Sequence, residues 1–192
     1  MCGRFTLHHS TEDIAKRFAI EQLTLKLAPR YNIAPMQSVA VQRESRTLAE
    51  FTWGLVPSWA KNPAIGSRMI NARADSASEK PAFREALRWR RCLVPASGYY
   101  EWRRSGPQRL PIYLRLGDGR PMALAGLWEE WRTPDGATLR SVAILTTEPN
   151  PLAATVHNRM PAILDGEAIA AWLDPTNFED GRQLRSLREL RG

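Results

Sequence analysis

The feature that most constrains the fold is a series of short segments with strand-like residue patterns, separated by turn signals. Predicted strands cover 38–43, 48–56, 92–94, 99–103, 110–116, 122–131 and 139–147. Gly117-Asp118-Gly119 indicates a hairpin after the fifth of these, and Pro134-Asp135-Gly136 predicts the turn that pairs the last two. Strands do not alternate with long helices, so the sequence favours a mainly antiparallel sheet over a parallel nucleotide-binding fold.

Helices are predicted at the ends of the chain and once in the middle. Ser10 is the expected N-cap of a short helix whose inner face carries Ile14 and Phe18. The other predicted helices cover 79–90, 167–173 and 178–190, and the first of them carries Phe83, Leu87 and a third candidate, Trp89, toward the core. Segments 30–35 and 57–68 are predicted loops, the second exposed and carrying Trp59. The expected fold is one α+β domain over 1–192, with a mostly antiparallel, partly barrel-like β core and peripheral helices.

Charge and composition narrow the classes of function. The 192-residue chain carries a formal net charge of +7, mostly from arginine. This is the electrostatic footprint of a protein that binds phosphate backbones, although a biased base composition of the genome produces it too. The spacing of two cysteines and three histidines predicts no disulfide framework and no zinc site, and we expect no metal or organic cofactor. We find no signal peptide or membrane-spanning run and expect a cytoplasmic protein.

Cys2 directly follows Met1, and this position has a chemical consequence. Removal of Met1 would give Cys2 a free α-amine beside its thiol, two groups whose ordinary pKa values are about 8 and about 8.5. Such an amine condenses with an aldehyde to an imine, and the thiol then closes a five-membered thiazolidine ring on the same carbon. With Met1 retained, residue 2 is an ordinary cysteine, and the Met-Cys pair alone does not separate the two cases.

Five places along the chain carry unusual motifs. They are MCGRF at 1–5, YNIAP at 31–35, WGLVPSW at 53–59 followed by INARAD at 70–75, GYYEW at 98–102, and VHNRMP at 156–161. Together they resemble the SRAP family, the SOS-response-associated peptidase-like proteins that process abasic sites in DNA. The resemblance runs from Met1 to the region of Leu173. Family members continue into a further strand that is not recognisable before Gly192, which leaves the closure of the sheet edge open.

The resemblance implies a covalent reaction with abasic sites in single-stranded DNA. An abasic deoxyribose opens to an aldehyde at C1′, and the mature N-terminal cysteine of the family condenses with it to a thiazolidine. The product is a DNA–protein crosslink that shields the lesion. The family name also implies that the protein removes Met1 itself. We expect a monomer that associates with the nucleoid when it is bound to DNA.

Four residues match catalytic positions of the family: Cys2, Asn71, Glu101 and His157. Glu101 would take the proton of the amine and assist imine formation. His157, with an ordinary pKa of about 6.5, would protonate the ring oxygen of the sugar and promote its opening. Asn71 would orient the cysteine or the sugar. The residues alone leave plainer alternatives open: a surface glutamate on a strand, a structural loop histidine and an asparagine at a turn or sheet edge.

Five further residues match positions that contact DNA in the family. Arg4 and Arg73 correspond to phosphate ligands, where a guanidinium fork fits best; the residues alone also leave open an ordinary surface position or pairing within the molecule. Trp59 is suited to stacking on a base, and Pro35 corresponds to a ring packed against the nucleotide. Lys80 follows in the same basic stretch and is expected to contact a phosphate. Three arginines at the end of the middle helix either extend this basic face or form a solvated helix side: Arg88, Arg90 and Arg91.

Two other functions fit part of the sequence. Class II glutamine amidotransferases also begin Met-Cys-Gly, and their freed cysteine attacks an amide with its own α-amine as base. The arginine-rich composition and the WGL and NAR motifs favour DNA over an amide substrate. The second alternative is a non-catalytic module that binds nucleic acid with a salt-dependent affinity. The sequence leaves open whether the protein or an aminopeptidase removes Met1, and whether strand cleavage by a lyase step follows crosslinking.

Overall fold

The smaller of two β-sheets contains the N-terminal strand that follows Cys2. The structure is a computed structural model and describes residues 2–21, 25–43 and 45–176; the predicted helix over 178–190 lies outside these ranges. The sheet is antiparallel, and its strands are, in spatial order, β2 (Arg30–Ile33), β1 (Arg4–Leu7), β7 (Gly98–Ser105) and β8 (Gln108–Leu114). The central position of β1 fixes the chain from Arg4 onward between two neighbouring strands, two residues after Cys2.

The larger sheet closes on itself as a five-stranded barrel. Around the ring the strands are β10 (Thr138–Thr147), β4 (Leu48–Trp53), β3 (Ser38–Gln42), β6 (Arg91–Ala96) and β9 (Met122–Arg132). The ring closes because β9 also pairs with β10, in antiparallel register from Thr138 opposite Arg132 to Ile144 opposite Gly126. The β10–β4 pairing is parallel, and the other pairings of the ring are antiparallel. The predicted α+β fold with a mostly antiparallel, partly barrel-like core is therefore confirmed.

Three short strands extend the barrel sheet beyond the ring. They are β5 (Asn71–Arg73), β11 (Met160–Pro161) and β12 (Ile163–Leu164). The last residues of β10 pair with both β5 and β11, because this strand continues past the end of the ring. The sequence does not predict these strands, since two or three residues are too few for a period to be recognised.

Helices lie at the periphery of the two sheets, as predicted. They are α1 (Thr11–Phe18), α2 (Arg84–Trp89), α3 (Pro151–Ala154), α4 (Glu167–Leu173) and a 3₁₀ helix (Pro63–Arg68). The hydroxyl of Ser10 accepts a hydrogen bond from the Asp13 backbone N–H at 3.0 Å, and Ile14 and Phe18 are buried. The predicted N-cap and inner face of α1 are therefore confirmed, since both depend on local geometry.

An aromatic contact joins the small sheet to the barrel. The rings of Phe5 and Trp53 meet edge to face, 5.1 Å apart, and both side chains are fully buried. Such pairs contribute about 0.5–1.5 kcal/mol beyond the burial of their surface. The indole N–H of Trp53 also donates to the carbonyl oxygen of Ile70 at 2.9 Å. These contacts fix β1 and the segment before β5 relative to each other.

Two predicted loop and strand boundaries are wrong. Segment 30–35 is not wholly loop, because Arg30–Ile33 pairs with β1 as an edge strand. Its register shifts between Phe5 and Leu7, and this irregularity obscures the strand pattern in the sequence. The strand predicted over 48–56 ends at Trp53, because Gly54 has a φ of +139° and takes the chain out of the strand.

The hairpin predicted at Gly117-Asp118-Gly119 is also wrong. The segment does turn, but the strands on its two sides belong to different sheets: β8 pairs with β7, whereas β9 pairs with β6, β10 and β12. The turn therefore connects the small sheet to the barrel. The second predicted turn, at 134–136, does join the antiparallel pair β9 and β10.

The middle helix differs from its prediction in three respects. It begins at Arg84 rather than at residue 79, and Trp89 is 54% exposed, with the Arg88 guanidinium 4.9 Å from its ring centre. Arg91 belongs neither to a basic face nor to a solvated helix side, because it is buried at the start of β6. Its guanidinium donates to the carbonyl oxygens of Leu87, Arg88, Trp172 and Asp174. A buried arginine thus satisfies carbonyls at the ends of α2 and α4.

Candidate active site

Cys2 is fully buried just before β1. Its thiol lies 3.9 Å from the Arg4 carbonyl oxygen, which accepts a weak hydrogen bond from it. Burial, followed by the negative charge of Glu101, raises the pKa of Cys2 from 9.0 to about 12. In a chain that retains Met1, the Cys2 thiol is therefore protonated at neutral pH, and the backbone nitrogen of Cys2 is part of an amide.

Glu101 lies on β7 and is only 3% exposed. The alternative of a glutamate on the strand surface is therefore wrong. Tyr99, two residues earlier, shares this face of the strand and is also buried. Burial, with the charges of Cys2 and Glu101, raises the pKa of Tyr99. A thiol, a phenol and a carboxylate thus interact in one water-poor cluster, where a charge on one disfavours ionisation of the others.

Asn71 connects the barrel to the N-terminal segment. It is the first residue of β5 and lies opposite Ile144 of β10. Its side-chain Nδ2 donates to the carbonyl oxygen of Cys2 at 2.9 Å. The amide oxygen of Asn71 is buried and has no hydrogen-bond partner within the described part of the chain. Asn71 therefore holds residue 2 through its donor and keeps an acceptor for a further group.

His157 lies in the loop between α3 and β11, half-buried. Its Nδ1 lies 3.0 Å from the backbone nitrogen of Arg159 and 3.2 Å from the Arg159 carbonyl oxygen, so it accepts from the first or donates to the second according to its tautomer. The following strand β11 pairs with β10 at Thr146 and Thr147, and β5 also reaches Thr146 through Arg73. The His157 loop and the strand of Asn71 therefore meet at the same end of β10.

An ion-pair cluster joins these two segments. Asp75 accepts from Arg73 Nε at 3.1 Å and Nη2 at 2.8 Å, and from Arg159 Nη1 at 3.1 Å. Arg159 is buried and also donates to the Thr146 carbonyl oxygen at 2.5 Å. These contacts lower the pKa of Asp75 from 3.8 to about 2, with the Arg73 hydrogen bond as the main cause. The cluster fixes the His157 loop against the end of β5.

The predicted DNA contacts lie in several loops and strands. Arg4 donates to the Asn32 amide oxygen at 2.7 Å, and Arg73 keeps 61% of its side chain exposed despite its pair with Asp75. Pro35 is half-buried, and Trp59 is 59% exposed. Lys80 is exposed between β5 and α2, and among the described residues nothing contacts its ammonium group through a hydrogen bond or ion pair.

Two of these contacts, Pro35 and Trp59, lie on neighbouring loops. Met36 directly follows Pro35. A Cβ atom added to Gly54 would lie 2.9 Å from the sulfur of Met36 and 2.6 Å from the carbonyl oxygen of Gly66, so both groups approach the Gly54 backbone closely. Gly66 belongs to the 3₁₀ helix that follows Trp59. The Met36 loop, Gly54 and the 3₁₀ helix therefore pack together. Because Gly54 directly follows Trp53, this packing continues toward Ile70 and Asn71.

Sequence reasoning assigned no role to several residues that the structure brings into the site. These are Tyr99 beside Cys2 and Glu101, Asn32 on Arg4, and the partners Asp75 and Arg159. Each stands inside one of the five motifs, which was the only signal available. Within residues 2–21, 25–43 and 45–176, no three metal-ligating side chains form a group that could hold an ion. No helix in the same ranges is long and apolar enough to span a bilayer.

Comparison with known proteins identifies the family. A profile described as SOS response associated peptidase (SRAP) matches residues 1–191. The chain belongs to the SRAP family. This SRAP chain is 43% identical over 185 residues to abasic site processing protein YoqW of Bacillus subtilis, covering 93% of this chain and 83% of that protein.

More distant relatives give the same result. Abasic site processing protein HMCES of Xenopus tropicalis is 32% identical over 183 residues. The match covers 78% of this SRAP chain and 55% of HMCES. The crystal structure of a Bacteroides thetaiotaomicron protein superposes with a TM-score of 0.89 at 29% identity, covering 97% of this chain and 86% of that one. The resemblance carried by the five motifs is therefore confirmed at the level of family and fold.

Proposed function

We propose that this protein processes abasic sites in single-stranded DNA by forming a covalent thiazolidine crosslink through Cys2. The relatives YoqW and HMCES are described as abasic site processing proteins. The observation that carries the chemistry is the hydrogen bond from Asn71 to the Cys2 carbonyl, in a buried cluster with Glu101. An abasic site supplies an aldehyde, and a mature Cys2 would supply the amine and thiol that combine with it.

The reaction begins with hydrolysis of the Met1–Cys2 bond, which consumes one water and frees the α-amine. Glu101 takes a proton from the resulting ammonium group, because its carboxylate lies in the same buried cluster as Cys2. The neutral amine attacks C1′ of the opened sugar, and the carbinolamine loses water to give an imine. The Cys2 sulfur then adds to the same carbon while its proton passes to the nitrogen. The net condensation joins one aldehyde to one aminothiol and releases one water.

The burial of Cys2 is consistent with this order of events. While Met1 is present, the pKa of Cys2 is raised to about 12 and the thiol is unreactive. The freed α-ammonium group introduces a positive charge beside the thiol and Glu101, which opposes the effect of the carboxylate. His157 would protonate the ring oxygen of the sugar and so favour the open aldehyde.

The DNA strand would be held by residues around this cluster. Arg4 and Arg73 would contact phosphates on either side of the lesion, and Lys80 would contact a further phosphate. The exposed indole of Trp59 would stack on a neighbouring base, and the ring of Pro35 would pack against the nucleotide. Since one site acts on one strand, we propose that the protein works as a monomer.

The first test is the intact mass of the purified protein, alone and after mixing with a single-stranded oligonucleotide that contains one abasic site. Wild type, Cys2→Ala and Cys92→Ala are compared under denaturing conditions. Cys92 is an equally buried cysteine in β6 and serves as the matched control. We expect loss of Met1 and an adduct, without borohydride, in wild type and Cys92→Ala but not in Cys2→Ala.

Other outcomes would overturn the proposal. A protein that loses Met1 but forms no adduct would favour an amidotransferase-like hydrolase, and an unprocessed protein that only binds the oligonucleotide would favour a non-catalytic module.

Cleavage of the oligonucleotide at the abasic position, scored on a sequencing gel, would add a lyase step. The same measurement on Glu101→Gln separates removal of Met1 from crosslinking: a processed variant that crosslinks slowly would place Glu101 in the condensation.

A further inference from the structure

The β7–β8 hairpin forms a projecting two-stranded ribbon beyond the candidate active site. Strand β1 pairs with β7 only from Gly98 to Tyr100, whereas β7 and β8 continue to pair up to Ser105 opposite Gln108. Every residue from 102 to 111 is exposed. Glu101 lies at the base of the ribbon, and four further residues at about 3.3 Å each carry β7 about 13 Å away from it.

The ribbon carries an unbalanced positive charge. It contains Arg103, Arg104 and Arg109, and no Asp or Glu occurs from Trp102 to Gly117. Within the described part of the chain, none of the three guanidinium groups has an ion pair or hydrogen bond. Arg104 lies directly opposite Arg109 in the register, an arrangement of like charges that destabilises a sheet. Folding does not benefit from this arrangement, so an anionic partner is the simplest physical reason for it.

The base of the ribbon, by contrast, is firmly held. The ring of Tyr113 lies across Gly98, where an added Cβ would come within 2.5 Å of it, and its hydroxyl is 2.7 Å from the Thr6 hydroxyl. Tyr100 packs against Tyr113 with ring centres 5.0 Å apart. The arginines therefore have a defined direction relative to Glu101, although the tip of an isolated two-stranded ribbon is only marginally stable.

We propose that this ribbon binds the phosphate backbone of the DNA that flanks the lesion, through Arg103, Arg104 and Arg109. The inference rests on the proposed function, since it takes the same DNA strand as the ligand. Arg103 comes two residues after Glu101, so the two side chains share one face of β7 and lie about 7 Å apart along the strand. It would contact a phosphate close to the abasic nucleotide, and the Arg104–Arg109 pair would contact phosphates farther along.

The test measures non-covalent binding, so that it does not depend on crosslinking. Fluorescence anisotropy measures the affinity of each protein for an intact labelled oligothymidylate. The proteins are wild type, the triple variant Arg103→Gln/Arg104→Gln/Arg109→Gln, and a control variant that loses the same number of positive charges. The control, Lys16→Gln/Lys26→Gln/Arg46→Gln, removes three exposed cations on and near α1. Each single-strand phosphate contact contributes about 0.7 to the slope of log affinity against log salt.

We expect the triple variant to lower that slope by about 2, and the control to leave it unchanged. Wild type should then lose about 20-fold more affinity than the triple variant between about 50 and about 200 mM salt. An unchanged slope, or an equal loss in the control, would overturn the proposal. Arg104→Gln alone should keep or raise the melting temperature and lower the slope by about 0.7, which guards against misfolding of the triple variant.

The two proposals fail in distinguishable ways. If the ribbon proposal is wrong but the proposed function is right, wild type and the triple variant crosslink to an abasic oligonucleotide with the same salt dependence. If the proposed function is wrong, wild type forms no adduct at any salt concentration, whatever the slopes with the intact strand. A wild-type protein that does not bind the intact strand at all would overturn the ribbon proposal directly.

Discussion

Replacement of Asp75 by Asn tests the ion-pair cluster that joins β5 to the His157 loop. The carboxylate of Asp75 accepts two hydrogen bonds from Arg73 and one from Arg159, and its pKa falls from 3.8 to about 2. At about 1.36 kcal/mol per pH unit, this shift corresponds to at most about 2.4 kcal/mol. Because the Arg73 side chain is 61% exposed, solvent screening reduces the expected contribution to about 1–2 kcal/mol.

The sign of the pH dependence follows from the direction of the shift. The folded-state pKa is below the unfolded value, so the contribution is complete above about pH 4 and is lost as the pH falls through about 2. Urea denaturation of wild type and Asp75→Asn should therefore show a difference in unfolding free energy of about 1–2 kcal/mol at pH 7. The difference should fall to a small fraction of this value by about pH 2, where Asp75 is protonated in the unfolded state and about half protonated in the folded state.

The matched control is Glu50→Gln, an exposed carboxylate on β4, which should change stability little at either pH. A difference of the same size at pH 7 and pH 2 would refute the electrostatic reasoning, because it would mean that packing of the side chain rather than its charge stabilises the loop. No difference at pH 7 would mean that the cluster contributes nothing to folding.

Two further predictions concern the N-terminal segment and its sheet. Asn71→Ala removes the 2.9 Å hydrogen bond to the Cys2 carbonyl oxygen, which is worth about 1 kcal/mol. The variant should therefore crosslink about fivefold more slowly in a quenched time course, while the mass of the adduct stays the same. An unchanged rate would exclude a positioning role for Asn71. Gly98→Ala would push a Cβ to 2.5 Å from Tyr113 and should destabilise the protein by about 1–3 kcal/mol in thermal unfolding. Gly117→Ala, where an added Cβ meets nothing within 4 Å, should leave the melting temperature unchanged, and equal effects of the two substitutions would contradict the steric explanation.

Elements that depend on neighbouring residues could be predicted from the sequence. The Ser10 cap and the turn at 134–136 use short-range hydrogen bonds, and a regular period reveals the longer strands. The family motifs likewise identified Cys2, Asn71 and Glu101 as candidates before their contacts were known. The roles of these residues stay predictions until the crosslinking experiment is done.

The sequence by itself therefore determined the longer strands, the N-terminal helix and the set of candidate residues, because these are written in local patterns. Only the tertiary structure decided which of these residues meet. The β2 strand exists because β1 lies beside it, and Glu101 is buried because β7 is covered at that point. Pairing and burial join residues far apart in the chain, such as Asn71 with Cys2, and no local pattern encodes such a contact.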